Sequence, residues 1–275
     1  MSGIMISQVD AFTAEAFGGN PAGVCILPED EPEAWMRAVA AEMNLSETAF
    51  LRADVDHRYR IRWFTPTTEV PLCGHATLAS AHVLWEEGRV PKTEPISLRS
   101  RSGELAAHRE GEWIRLDFPR LPLEPATVPA GFAEALGASP LRVFRNAFPT
   151  FLVELESEEV VRRLAPRFRR LVEIGAGRCI VTAGSDSPEF DFVSRFFAPE
   201  VGIDEDPVTG SAHCSLAPYW AERLGKPHLT ARQVSRRGGV LRLRLEGERV
   251  HILGQAVTVL RGALATAARP REAGQ

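Results

Sequence analysis

Two stretches of the chain, LCGHATLASAHVL (Leu72 to Leu84) and VTGSAHCSLAPYW (Val208 to Trp220), follow one design. Each sets a glycine ahead of a small polar or imidazole residue and then an apolar, helix-like run. Gly74 precedes His75, and Gly210 precedes Ser211. A glycine at a helix start lets the backbone approach a ligand closely. The first N–H groups of a helix have no internal partner, and the dipole there favours negative charge. Two such starts acting on one ligand would hold a carboxylate and steady an enolate-like oxygen. The candidate binding positions are therefore Gly74, Ala76, Gly210 and Ala212. His75, Ser211 and Asp206, in DEDPVTGS, supply the polar side chains around them. Taken singly, each helix also reads as a core helix that happens to begin at glycine.

Proton chemistry needs a base as well. In EMNLSETAFL (Glu42 to Leu51), Glu47 sits between a helical and a strand-like segment, with apolar Leu45, Ala49 and Phe50 around it. Partial burial there would raise its affinity for a proton toward useful base strength. By spacing alone Glu47 is equally a surface carboxylate or half of a helix cap.

The elements that must position these groups are written twice. An offset of 136 residues places Gly74 on Gly210, Ala76 on Ala212, Ala81 on Ala217 and Pro91 on Pro227. The same register places Arg101, Gly103 and Leu105 on Arg237, Gly239 and Leu241. WFTP and FFAP lie 133 apart, so the second copy carries three extra residues within EVGIDEDPV. A shared register across many weak matches marks an internal repeat. It predicts two domains of one fold, 1–124 and 125–275, joined near the proline-rich PRLPLEPATVPAGF, with the active site in the cleft between them. Alternating runs such as MISQVDAF, YRIRWFTP and ISLRSRSGELAAHREGEWIRLDFP read as strands and hairpins. HATLASAHVLWEEG reads as a helix, apolar on nearly every side and hence buried. The expected class is α+β: two pseudo-symmetric domains, each a mostly antiparallel sheet wrapped around a central helix.

Composition narrows the function classes. Apolar residues at 44% and charged residues at 25% are ordinary globular values. No apolar run approaches the ~20 residues that span a bilayer, and the first residues lack a secretory pattern. Net charge is −4 with no basic run, which argues against nucleic acid. The arginines of VVRRLAPRFRR read as a solvated helix face. The four cysteines, Cys25, Cys73, Cys179 and Cys214, have no zinc-like spacing. The expectation is a reduced, cytoplasmic protein without a metal. Gly18, Gly19, Asn20 and Pro21 read as a turn, and His213 as a residue that lines the cleft.

Four blocks, DAFTAEAFGGNPAGV, EMNLSETAF, IRWFTPTTEVPLCGHATLASAHVL and GIDEDPVTGSAHCSLAPYW, together resemble the phenazine-biosynthesis isomerase (PhzF-like) family. The resemblance runs over nearly the whole chain. It implies the diaminopimelate epimerase fold, a homodimer, and catalysis with no metal or organic cofactor. It also assigns roles: Glu47 as the acid/base, with His75, Asp206 and Ser211 as the other site residues. The reaction it implies is a proton shift on a small carboxylate substrate, as in the isomerisation of trans-2,3-dihydro-3-hydroxyanthranilate. In reading LCGHAT, the chain departs from the GHP-type helix start of the phenazine enzyme, which leaves the substrate open. The rivals are a one-base epimerase or tautomerase of an amino-acid-like substrate, and a protein that binds a small carboxylate without turnover. A two-cysteine racemase is disfavoured because Cys73 falls on Thr209 in the repeat.

Overall fold

A computed structural model describes residues 3–55 and 57–265. The chain forms two compact units, one of Met1–Asp117 with Leu253–Gln275 and one of Phe118–Ile252.

In the first unit the chain runs β1 (Ile4–Ala11), β2 (Asn20–Leu27), α1 (Glu33–Met43), β3 (Glu47–Ala53), β4 (Arg58–Phe64) and β5 (Glu69–Val70). Then come α2 (Gly74–Glu86), β6 (Ile96–Ser100), β7 (Gly103–Glu110) and β8 (Trp113–Pro119), the strand in which the chain leaves this unit. The ladders β1/β2, β3/β4, β4/β5, β6/β7 and β7/β8 are antiparallel, while β2/β3 and β4/β6 are parallel. One face of the sheet packs on amphipathic α1, through Trp35, Met36, Val39, Phe50 and Phe64. The helix α2 is buried on almost every side from His75 to Trp85, as its unbroken apolar sequence demands.

The second unit contains β9 (Leu123–Pro125), α3 (Phe132–Leu136), β10 (Arg142–Asn146), β11 (Phe151–Glu154), α4 (Glu158–Arg163), α5 (Phe168–Glu173), β12 (Cys179–Gly184) and β13 (Phe192–Ala198). It continues with β14 (Ile203–Asp206), α6 (Gly210–Leu224), β15 (His228–Gln233), β16 (Gly239–Glu246) and β17 (Arg249–Gly254), where the chain returns to the first unit. Its ladders repeat those of the first unit in order. Antiparallel β10/β11 matches β1/β2, and parallel β11/β12 matches β2/β3. The pairings β12/β13, β13/β14, β13/β15 and β15/β16 likewise match β3/β4, β4/β5, β4/β6 and β6/β7 in direction. The α+β reading and the duplication are thus visible as hydrogen-bond topology.

Two details depart from the sequence reading. The C-terminal strand β18 (Ala256–Leu264) pairs antiparallel with β1 from Ile4 to Ala11, so 253–275 belongs to the first unit rather than to a domain of 125–275. The arginine-rich VVRRLAPRFRR is two short helices rather than one face, because Pro166 cannot continue a helix. Its arginines form exposed pairs such as Arg163–Glu159 and Arg169–Glu173. Within α6, Pro218 removes one backbone donor, and the carbonyl of Cys214 accepts instead from the N–H of Leu121 at 3.0 Å. Among the described residues no helix is long and apolar enough to cross a membrane.

Candidate active site

In the first unit the parallel β2/β3 ladder sets the starts of two strands side by side, with Ala22 opposite Glu47. That ladder is tight at this end: a Cβ on Gly23 would come within 2.9 Å of the Thr48 hydroxyl. Gly19, at φ +58°, makes the turn that delivers Asn20, and a side chain there would collide with the carbonyl of Ala11. The helix α2 begins beside these strand starts. The outcome is a cluster of four side chains drawn from Asn20, Glu47, Cys73 and His75.

His75 is its centre, only 5% exposed. Its Nε2 lies 3.3 Å from Oε2 of Glu47, whose side chain is 14% exposed. Its Nδ1 lies 3.2 Å from the amide nitrogen of fully buried Asn20 and 3.5 Å from Sγ of Cys73. An amide nitrogen can only donate, so Nδ1 accepts and the ring proton sits on Nε2, the nitrogen nearer the carboxylate. Burial pushes the His75 pKa down to about 3, so the ring is neutral near pH 7. A neutral N–H can orient Glu47 without neutralising its charge. The 3.3 Å contact is too poorly aligned to count as a hydrogen bond, and Nε2 has no such partner; catalytic contacts of this kind commonly tighten only around substrate.

The cap residue of α2, Cys73, makes no side-chain cap bond. The first bond of the helix ladder runs from the N–H of Thr77 to the carbonyl of Cys73 at 3.2 Å, so the N–H groups of Gly74, His75 and Ala76 precede the ladder. Glu47, Cys73 and His75 each place one donor atom within 4.8 Å of the others, a set that could hold a metal ion.

The second unit presents the corresponding start of α6. Its cap residue, Thr209, makes no side-chain cap bond to the helix, and its hydroxyl donates instead to the carboxylate of Asp206. Gln233, fully buried, grips both ends of the intervening turn. It donates to the carbonyl of Asp206 at 2.8 Å and accepts from the N–H of Thr209 at 2.9 Å. Behind it, Arg195 binds Glu205 through two bonds of 2.7 and 2.9 Å, which fixes β14 just ahead of Asp206. Ser211 is exposed at the helix start, whereas Gly210 and Ala212 are buried. The sequence reading of His213 as cleft lining is corrected. It is fully buried, its Nδ1 2.8 Å from the carbonyl of Thr209 and its ring stacked on Phe192. Burial lowers its pKa to about 4.

Each unit therefore gathers its own share of the expected residues: Glu47, His75, Gly74 and Ala76 in the first, and Asp206, Ser211, Gly210 and Ala212 in the second. Sequence reasoning missed Asn20, which it assigned to a turn, and it missed Gln233.

A family model described as phenazine biosynthesis-like protein matches residues 9–262. A protein of Halalkalibacterium halodurans named as an uncharacterised isomerase is 53% identical over 260 residues, covering 94% of this chain and 97% of its own. A PhzF-family crystal structure from Enterococcus faecalis is 41% identical, with a TM-score of 0.91 over 96% of this chain and 100% of that one. A probable proline racemase from Agrobacterium radiobacter, at 12% identity and a TM-score of 0.65 over 96% of this chain and 93% of that one, shares the fold alone.

Proposed function

The chain belongs to the phenazine biosynthesis-like family of PhzF-like isomerases, and from that premise we propose that Glu47 is the single acid/base of a cofactor-independent proton shift on a small carboxylate. The carboxylate of Glu47 removes a proton from a substrate carbon and becomes a carboxylic acid. The electron pair left behind delocalises toward an oxygen, where uncapped backbone N–H groups stabilise the developing charge. Glu47 then returns the proton at another carbon of the same molecule, so base becomes acid within one turnover. His75, through Nε2–H, holds the carboxylate in line. Ser211 and the first N–H groups of α6 bind the substrate's carboxylate in the same turnover, while Asp206 holds the hydroxyl of Thr209 at the helix start. The resemblance suggests trans-2,3-dihydro-3-hydroxyanthranilate or a relative of it as substrate, and a homodimer in the cytoplasm as the working form.

One observation carries this reading: a mostly buried carboxylate stands 3.3 Å from Nε2 of a buried imidazole whose other nitrogen faces the amide of Asn20. A surface carboxylate or a plain helix cap would need no such partner. The test is a screen of cyclic and amino-acid carboxylates in heavy water, read by NMR. Deuterium should appear at one carbon with wild-type protein and not with Glu47→Gln, whose circular dichroism should be unchanged. Undiminished uptake in that variant removes Glu47 from the role. Binding without exchange for every carboxylate that binds would favour the non-catalytic reading.

A further inference from the structure

The two units carry opposite charges at one corresponding position. The antiparallel registers pair Ala49 with Trp63 in the first unit and Ile180 with Phe196 in the second. WFTP and FFAP align Trp63 with Phe196, so Ala49 corresponds to Ile180, and two residues earlier Glu47 corresponds to Arg178. Where the first unit holds its proposed base, the second holds a guanidinium.

Backbone direction and strand alternation show where Arg178 lies within its unit. Its carbonyl accepts from the N–H of Phe151 at 3.0 Å, so the β11/β12 ladder extends to it and the alternation of side chains holds there. Cys179, Val181 and Ala183 pack in the core with Phe132 and Leu171, on the face covered by the short helices. Arg178, Ile180 and Thr182 therefore share the other face, and the Thr182 hydroxyl accepts from Trp220 of α6 at 2.9 Å. The helix runs in the direction of these strands. Ser215 meets Asn146, beside the start of β11, at 3.2 Å, and Tyr219 meets Glu154, at its end, at 2.7 Å. Nine residues back along α6 from Trp220 is Ser211, about 13 Å at the helical rise. Four residues back along the strand from Thr182 is Arg178, also about 13 Å. Arg178 thus arrives at the end of the sheet where α6 begins.

It arrives uncommitted. Among the described residues the Arg178 side chain makes no hydrogen bond or ion pair, the residue is half-buried, and its Nε is buried without a partner. A partly buried cation usually finds a carboxylate within its own fold, as Arg195 finds Glu205 here. We propose that Arg178 is a substrate-binding residue that pairs with the substrate's carboxylate beside Ser211 and the uncapped start of α6. The proposal rests on the reading of this chain as a carboxylate isomerase and adds the group that selects for that charge. The guanidinium adds a charge-assisted bond beyond those of the backbone amides, and that bond is lost when the carboxylate becomes an amide.

Calorimetry with 3-hydroxyanthranilate and its carboxamide tests this directly. Wild-type protein should bind the acid at least about tenfold more tightly than the amide, the span of one charge-assisted hydrogen bond. Arg178→Met should cut the acid-over-amide preference by about tenfold, leaving only what the helix start supplies, and Arg178→Lys, which keeps the charge, should retain part of the difference. Glu47→Gln should leave the preference intact, so failure of the acid/base reading and failure of this one are separately visible. A preference undiminished in Arg178→Met, or a wild-type chain that binds neither compound or both equally, overturns the assignment.

Discussion

The start of α2 and the start of α6 are the same backbone feature carrying opposite equipment. Both begin at glycine, both lack a side-chain cap, and both lie within sheets of matching ladder order. Around α2 stand a carboxylate and a neutral imidazole. Around α6 stand a hydroxyl, a carboxylate already satisfied by Thr209, and, on our proposal, the free guanidinium of Arg178. The contrast teaches how a duplicated scaffold divides labour. A helix start is a general anion site, and on our proposal the side chain at one adjoining strand position decides whether it moves protons or merely holds charge.

The sharpest way to break this division is Glu47→Gln. Positioned acid/base groups contribute about 10²- to 10⁴-fold, so deuterium exchange should fall by that factor while stability stays near wild type. The Ser211 side should behave as binding alone. Next in size is an acid effect shared by both helices. His75 and His213 are held neutral by burial, with pKa values near 3 and 4 against an ordinary 6.5. Below pH 6.5 the unfolded chain binds protons that the native chain does not. Stability should therefore fall as pH drops from 6.5 toward 4, by about 1.4 kcal/mol per pH unit for each histidine. His213→Phe should halve that slope in urea titrations, and an unchanged slope would mean His213 titrates normally in the fold.

Smaller effects sharpen the comparison. Asn20→Ala should free the His75 ring to adopt either tautomer and lower kcat about tenfold, the worth of roughly one buried hydrogen bond. Asn20→Asp should do the same or worse, since a carboxylate would draw the ring proton to Nδ1 and away from Glu47. Ser211→Ala should raise KM about fivefold with kcat nearly unchanged, equivalent to about 1 kcal/mol. A kcat loss as large as that of Asn20→Ala would place Ser211 among the proton-transfer groups.

Much of this arrangement was legible in residue order. The glycine starts, the all-round apolar helices and the repeat register are local or periodic signals, and the fold follows them. Glu47 and His75 could be named from the family blocks, yet spacing alone left Glu47 ambiguous, because its meeting with His75 depends on a strand start and a helix start 28 residues apart in sequence. Asn20 was illegible for a related reason: its partner is 55 positions away and reached only through the turn at Gly19. His213 misled because a histidine near a glycine start reads as polar lining, whereas the bond to Thr209 one turn back and the ring of Phe192 bury it. Arg178 escaped notice because the repeat is visible in strings only where side chains agree. There they do not.

The pairing of β1 with β18 has a consequence for how the protein is born. Residues 118–252 are contiguous and can close as soon as they emerge from the ribosome. The opening strand, although made first, must wait until residue 264 has been polymerised before its outer edge is covered. Until then that edge stays unpaired, and the half of the molecule translated first is completed last.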